Sequence, residues 1–148
     1  MVRIAIGADH AGVALKDHLR AHLSAAGHAI ADHGVHDTDR ADYPDVASAV
    51  AGSVRDGDAD RAILVCGTGL GMAIAANKVR GVRAVTCHDP YSARMARIHN
   101  DAHVLTLGAR VIASGLAETV ADAFLSAVFE GGRHAARVAK IDAIEAQT

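Results

Sequence analysis

Five short apolar runs, at 2–8, 28–33, 61–66, 82–87 and 103–108, alternate along the chain with longer stretches patterned for helix. This alternation limits the fold more than any other feature, because β-rich runs joined by helical crossovers pair in parallel. Between the first two runs Leu15, Leu19 and Leu23 recur every fourth residue, Ala11 and Ala26 extend the stripe, and Gly27 follows as a stop. That spacing predicts an amphipathic helix lying on a sheet. Tyr43-Pro44-Asp45 opens a second helix, since proline suits a first turn and an aspartate suits the positive end of the dipole. A third starts in a glycine loop and runs through Lys78, Asp89-Pro90 begins a fourth, a fifth spans 113–128 and a last covers about 133–147. The expectation is one α/β domain over 1–148, a doubly wound five-stranded parallel sheet with its ligands at the carboxyl ends of the strands.

A chain of 148 residues buries one core. Its net charge of −2, with both signs scattered, leaves no basic stripe for a nucleic-acid backbone. The apolar start is too short for a signal peptide or a membrane span before Asp9 and His10 interrupt it, so a soluble, cytoplasmic protein is expected. Cys66 and Cys87 lack CxxC spacing, which argues against a disulfide, and the ten histidines form no HxH or HExxH pattern that would ask for a metal.

Residues that directly follow strands should share one rim: Asp9 and His10, Cys66 to Gly71, His88 and Asp89, and Arg110. In "CGTGLG" the thiol of Cys66 is either a small buried hydrophobe or a reagent. Gly67, Gly69 and Gly71 leave amides uncovered at a helix N-terminus, where negative charge is favoured, and the same field favours a thiolate at Cys66. Thr68 adds a hydroxyl. Met72 stands where a dinucleotide fingerprint needs its third glycine and where a CxxxxxR phosphatase needs its arginine. In "GADHAG" Asp9 either caps the first helix or, with His10, hydrogen-bonds a polyol. His99 and Asn100 end the fourth helix, where a histidine either complements the dipole or carries protons near neutrality. Arg133 and Arg137, four apart after Gly131-Gly132, form either a solvated stripe or a phosphate clamp presented to another subunit. Cys87, inside an apolar run, reads as core, and the histidines at 18, 22, 28, 33, 36 and 103 read as surface or structural.

In this order "GADHAG", "DYPD", "CGTGLGMAIAANK", "VRAV", "PYSARMARIHND", "LGAR" and "FEGGRHAARV" span nearly the whole chain, and together they resemble the ribose-5-phosphate isomerase B family. The resemblance implies a Rossmann-like fold and an aldose–ketose isomerase of phosphorylated sugars that needs no metal and no cofactor. It implies a homodimer, or a pair of such dimers, with an active site shared between subunits and the C-terminal helix in the contact. By the same resemblance Cys66 is the base and Thr68, with the amides of Gly67, Gly69 and Gly71, stabilises the enediolate. His99 opens the sugar ring, and Asp9, His10, Tyr43 and Asn100 surround the sugar. Arg110, Arg133 and Arg137 hold the phosphate, the last two from the neighbouring subunit. By that resemblance, Cys66 together with Met72 is similar to the family's cysteine-using branch. Ribose 5-phosphate is the expected substrate, with allose 6-, galactose 6- and erythrose 4-phosphate as alternatives and a nucleotide-binding regulatory module as the non-enzyme alternative.

Overall fold

The computed structural model describes residues 1–148. Five parallel strands form one sheet: β1 (Arg3–Ala8), β2 (Ala29–Asp32), β3 (Arg61–Cys66), β4 (Ala84–Thr86) and β5 (Val104–Gly108), in the order β2-β1-β3-β5-β4. Six helices complete the chain: α1 (Val13–Ala25), α2 (Tyr43–Arg55), α3 (Leu70–Ala76), α4 (Pro90–Asn100), α5 (Ser114–Ser126) and α6 (Arg133–Glu145). The expected doubly wound α/β sheet is thus present, with β3 at its centre between β1 and β5. No helix is long and apolar enough to cross a membrane.

Strand alternation divides the core into two layers. Ile4, Ile6, Ile63, Val65, Leu105 and Leu107 face α1, α4 and α5, whereas Ala5, Ala62, Leu64, Cys66 and Val104 face α2 and α3. Leu15, Leu19 and Leu23 do bury the α1 stripe, each contributing at most about 1.5–3 kcal/mol of hydrophobic stabilisation.

The fourth strand is shorter than its apolar run because side chains take over the ladder at both ends. The Arg83 amide donates to His103 Nδ1 (3.0 Å), and the Gly108 amide donates to His88 Nε2 (2.9 Å). The third helix stops at Ala76 because the Asn77 side chain turns to the Ala84 backbone, accepting from its amide at 2.8 Å and donating to its carbonyl at 2.9 Å.

One charged contact lies where pattern reading does not look. Lys16 is fully buried, and its ammonium donates to both oxygens of Asp32 at 2.9 and 2.8 Å, joining α1 to the end of β2. Burial alone pushes the Asp32 carboxyl up, but the hydrogen bonds from Lys16 and the Gly34 amide outweigh it and hold the carboxyl below its usual range. Asp32→Asn leaves the buried ammonium only its longer contact to the Asp17 carboxylate (3.2 Å) and is expected to cost about 3 kcal/mol in urea unfolding. The stabilisation from this pair is complete above the ordinary aspartate value of about 4 and is lost as pH falls through the depressed folded value. The variant should therefore lose part of the acid-side slope of stability against pH, and an unchanged slope would assign that slope to other carboxylates.

Candidate active site

At the carboxyl edge of the sheet, three segments meet: the turn after β1, the glycine loop after β3 and the segment after β5. The Asp9 amide donates to the Val65 carbonyl (3.2 Å), and the Ala109 and Arg110 amides donate to the carbonyls of Cys66 (2.8 Å) and Gly67 (3.1 Å). Asp9 does not cap α1, whose cap position is Gly12; its buried carboxylate instead accepts from the Ala11 amide at 3.0 Å, leaving further acceptor capacity on the rim. His10 Nδ1 accepts from the Ala41 amide (3.2 Å), so the proton of the neutral ring sits on Nε2.

Cys66 ends β3 at 5% exposure. Its side chain packs in the α2/α3 layer with Met72, yet its Sγ accepts the amide of Gly69 at 3.1 Å. The sulfur is therefore buried and also turned into the glycine loop. Gly69 makes this geometry with φ = +80°, and a side chain there would stand 2.9 Å from the Leu107 backbone, closer than any Cβ packs. Its carbonyl accepts from Thr106 Oγ1 (2.8 Å), which in turn lies 2.7 Å from Thr86 Oγ1. These two threonines were not singled out in the sequence. The available signal was Thr106 as the one polar residue in the otherwise apolar "VLTLG".

Thr68 Oγ1 accepts from the Leu70 amide at 3.3 Å, so its own proton remains free to donate. The amides of Gly67, Thr68 and Gly71 find no acceptor within the chain. Tyr43, the first residue of α2, lies against Gly71: a Cβ on that glycine would sit 2.5 Å from the phenol ring. The guanidinium of Arg110 lies over Gly67, where a Cβ would stand 3.2 Å from Nη1. An open cleft of about 390 Å³ beside these groups is lined by Asp9, His10, Ala41 and Tyr43. Two clefts of about 440 Å³ lie elsewhere, against α6 and between α4 and the end of α5, and neither reaches Cys66.

Two of the expected rim residues are committed to structure. His88 holds the Gly108 amide, and Asp89 caps α4 by accepting from the Ser92 amide at 2.7 Å, a bond that lowers its carboxyl below the usual range. Cys87 is buried as expected, and burial with the nearby Asp89 pushes its thiol up to about 11.

His99 and Asn100 are elsewhere. In a parallel sheet a crossover helix runs back along the strands, so the 11 residues of α4 carry them about 16 Å from the carboxyl edge to the amino edge. There the Arg83 guanidinium, just ahead of β4, donates to the Asn100 carbonyl at 2.9 Å. The Glu130 amide donates to the Ile98 carbonyl (3.1 Å), which brings the start of α6 to the same place, and His134 stacks on His99 with ring centroids 4.3 Å apart. Farther along, α6 is tied to its own chain by Arg83–Asp142 at 3.0 Å and by Gly81–Glu145 at 2.9 Å. Arg133 and Arg137 are exposed on α6 and, like Arg110, make no ion pair within the chain. The candidate residues thus fall into two separate groups. One holds Asp9, His10, Tyr43, Cys66, Thr68, the loop amides and Arg110. The other holds His99, Asn100, Arg133 and Arg137.

Fold and site define a Rossmann-like α/β protein that sets a thiol beside unpaired amides and the free guanidinium of Arg110. The family model described as Ribose/Galactose Isomerase matches residues 4–141. Ribose-5-phosphate isomerase B of Escherichia coli (strain K12) is 50% identical over 145 residues, 98% of this chain and 97% of the relative. D-erythrulose-4-phosphate isomerase of Pectobacterium atrosepticum is 48% identical over 148 residues, 99% of this chain and 97% of the relative. The solved structure of Clostridium thermocellum ribose-5-phosphate isomerase B superposes with a TM-score of 0.97 at 49% identity, covering 98% of each chain. The chain belongs to the ribose/galactose isomerase family.

The contact between Gly71 and Tyr43 can be tested alone. Gly71→Ala should push the half-exposed phenol ring aside with little loss of thermal stability, since the obstructing atoms end a flexible side chain. It should raise KM for the sugar phosphate several-fold. An unchanged KM would remove Tyr43 from the site.

Proposed function

We propose that this protein interconverts D-ribose 5-phosphate and D-ribulose 5-phosphate through an enediolate, at a composite site made by two copies of the chain. The observation that carries the reading is Cys66 Sγ accepting the Gly69 amide beside the unpaired amides of Gly67, Thr68 and Gly71. Moving a proton between C2 and C1 needs a base and an oxyanion pocket at nearly one point. Here the Cys66 thiolate takes the C2 proton and returns it to C1. The free amides and the Thr68 hydroxyl stabilise the charge that develops on the enediolate oxygens. Asp9, His10 and Tyr43 hold the sugar hydroxyls, and Arg110 binds the phosphate.

His99, Asn100, Arg133 and Arg137 reach this centre from the partner copy, since α4 carries the first two to the opposite end of their own sheet. His99 donates a proton to the ring oxygen to open the furanose, and the two arginines complete the phosphate clamp. Exposed apolar residues support a covering copy: Leu70 and Ile74 on α3, Tyr91 at the start of α4 and Val111 after β5 all flank the carboxyl edge.

Cys66→Ser should lower turnover about a thousand-fold while leaving ribulose 5-phosphate binding largely intact, because a serine hydroxyl is a far weaker base. Near-normal turnover would reject Cys66 as base. Inactive Cys66→Ala chains mixed equally with inactive His99→Asn or Arg137→Ala chains should recover about a quarter of the wild-type activity, one restored site in each mixed dimer. No recovery would refute the shared site.

A second substrate is favoured by the nearly equal similarity to a D-erythrulose-4-phosphate isomerase. Specificity constants for ribose 5-phosphate and erythrose 4-phosphate decide between them. A preference for the pentose supports the reading above, and a preference for the tetrose replaces its substrate while keeping its chemistry.

A further inference from the structure

His134 has no part in the chemistry described so far, yet its placement is costly. It is buried at 5% exposure, and its Nε2 is shielded from solvent with no hydrogen-bond partner. A buried polar atom left unpaired is destabilising, and leucine or phenylalanine would fill the same space without it. What the side chain does engage is His99: the two rings lie nearly parallel, 17° apart with centroids 4.3 Å apart.

We infer that His134 is a positioning residue for sugar-ring opening, its flat ring holding the His99 imidazole at one tilt. The inference rests on the proposed role of His99 as the acid that protonates the ring oxygen. In that step the proton passes from His99 to O4, the C1–O4 bond breaks, C1–O1 becomes a carbonyl and the O1 hydroxyl proton leaves to solvent.

Two stacked imidazoles carry one proton far more readily than two, because like charges at this separation repel. Burial is the main influence lowering the proton affinity of His134, and the neighbouring His99 on α4 and Arg133 and Arg137 on α6 lower it further, opposed only by Glu130 from the preceding segment. These influences bias the His134 ring toward its neutral form. A neutral ring facing a protonated one also stabilises the cation through its π face, and the stack restricts rotation of His99. A general acid misplaced by even a fraction of its reach loses much of its effect.

The test separates ring opening from proton transfer at carbon. Ribose 5-phosphate is mostly a furanose and must be opened, whereas ribulose 5-phosphate cannot close such a ring because its C5 oxygen carries the phosphate. Turnover of ribose 5-phosphate therefore reads both steps. NMR wash-in of solvent deuterium at C1 of ribulose 5-phosphate reads the Cys66 step alone.

His134→Ala should lower ribose 5-phosphate turnover by roughly ten-fold and leave deuterium wash-in unchanged. His134→Phe, which restores a flat ring that takes no proton, should recover most of the lost turnover with the pH profile of the wild type. Undiminished turnover in His134→Ala would overturn the inference. So would a parallel fall in both readouts, which marks a merely structural role, or a phenylalanine variant no better than alanine. His99→Asn, measured beside them, should lose turnover while keeping wash-in. If it keeps turnover, the proposed role of His99 fails, a result distinct from any failure of His134.

Discussion

The parallel direction of the sheet governs what this site can be. Once β3 and β5 run side by side, with Cys66 beside Gly108 and Ala62 beside Val104, residues that follow strands gather at one edge and residues that end crossover helices gather at the other. Cys66 lies at the first edge, and His99 at the second. No adjustment of rotamers spans the length of a helix. A reaction that uses both groups on one sugar therefore requires the amino edge of one copy to meet the carboxyl edge of another, and the proposed composite site follows from topology rather than from any single contact.

Within the carboxyl edge, the glycine loop reconciles two demands on Cys66. A thiol packed among Met72 and the alanines of the α2/α3 layer is shielded from bulk water and held in one position. The same thiol needs a polar neighbour if it is to carry charge, and the Gly69 amide supplies it. Thr106 and Thr86 support the loop from below by holding the Gly69 carbonyl, and Leu107 leaves no room for a side chain on that residue. The sulfur is packed as core on one side and turned to the Gly69 amide on the other, which leaves room for both readings of the sequence in one residue.

Much of the fold was legible because it rests on periodicity. The Leu15–Leu19–Leu23 stripe, the proline openings of α2 and α4 and the five apolar runs all became the elements expected of them. The meeting of Asp9, Cys66 and Arg110 at one edge was legible for the same reason, since strand ends in a doubly wound sheet must converge. What escaped depends on partners distant in sequence. Nothing local to Lys16 announces Asp32, and nothing in "VLTLG" tells where the threonine hydroxyl points. His134 was hidden by its neighbours: "GGRHAARV" drew attention to paired guanidiniums, while the imidazole between them is the residue that turns inward. The trimming of β4 by His88 and His103 likewise needs coordinates, because a side chain taking a ladder hydrogen bond leaves no trace in an apolar pattern.

A crystal structure of the protein with ribulose 5-phosphate bound tests the central claim most directly. The account predicts C1 and C2 of the sugar over the sulfur of Cys66, the enediolate oxygens facing the amides of the glycine loop, and the phosphate between Arg110 of that chain and Arg133 and Arg137 of the partner subunit. A sugar held entirely by residues of one chain, or seated away from the thiol, would contradict it.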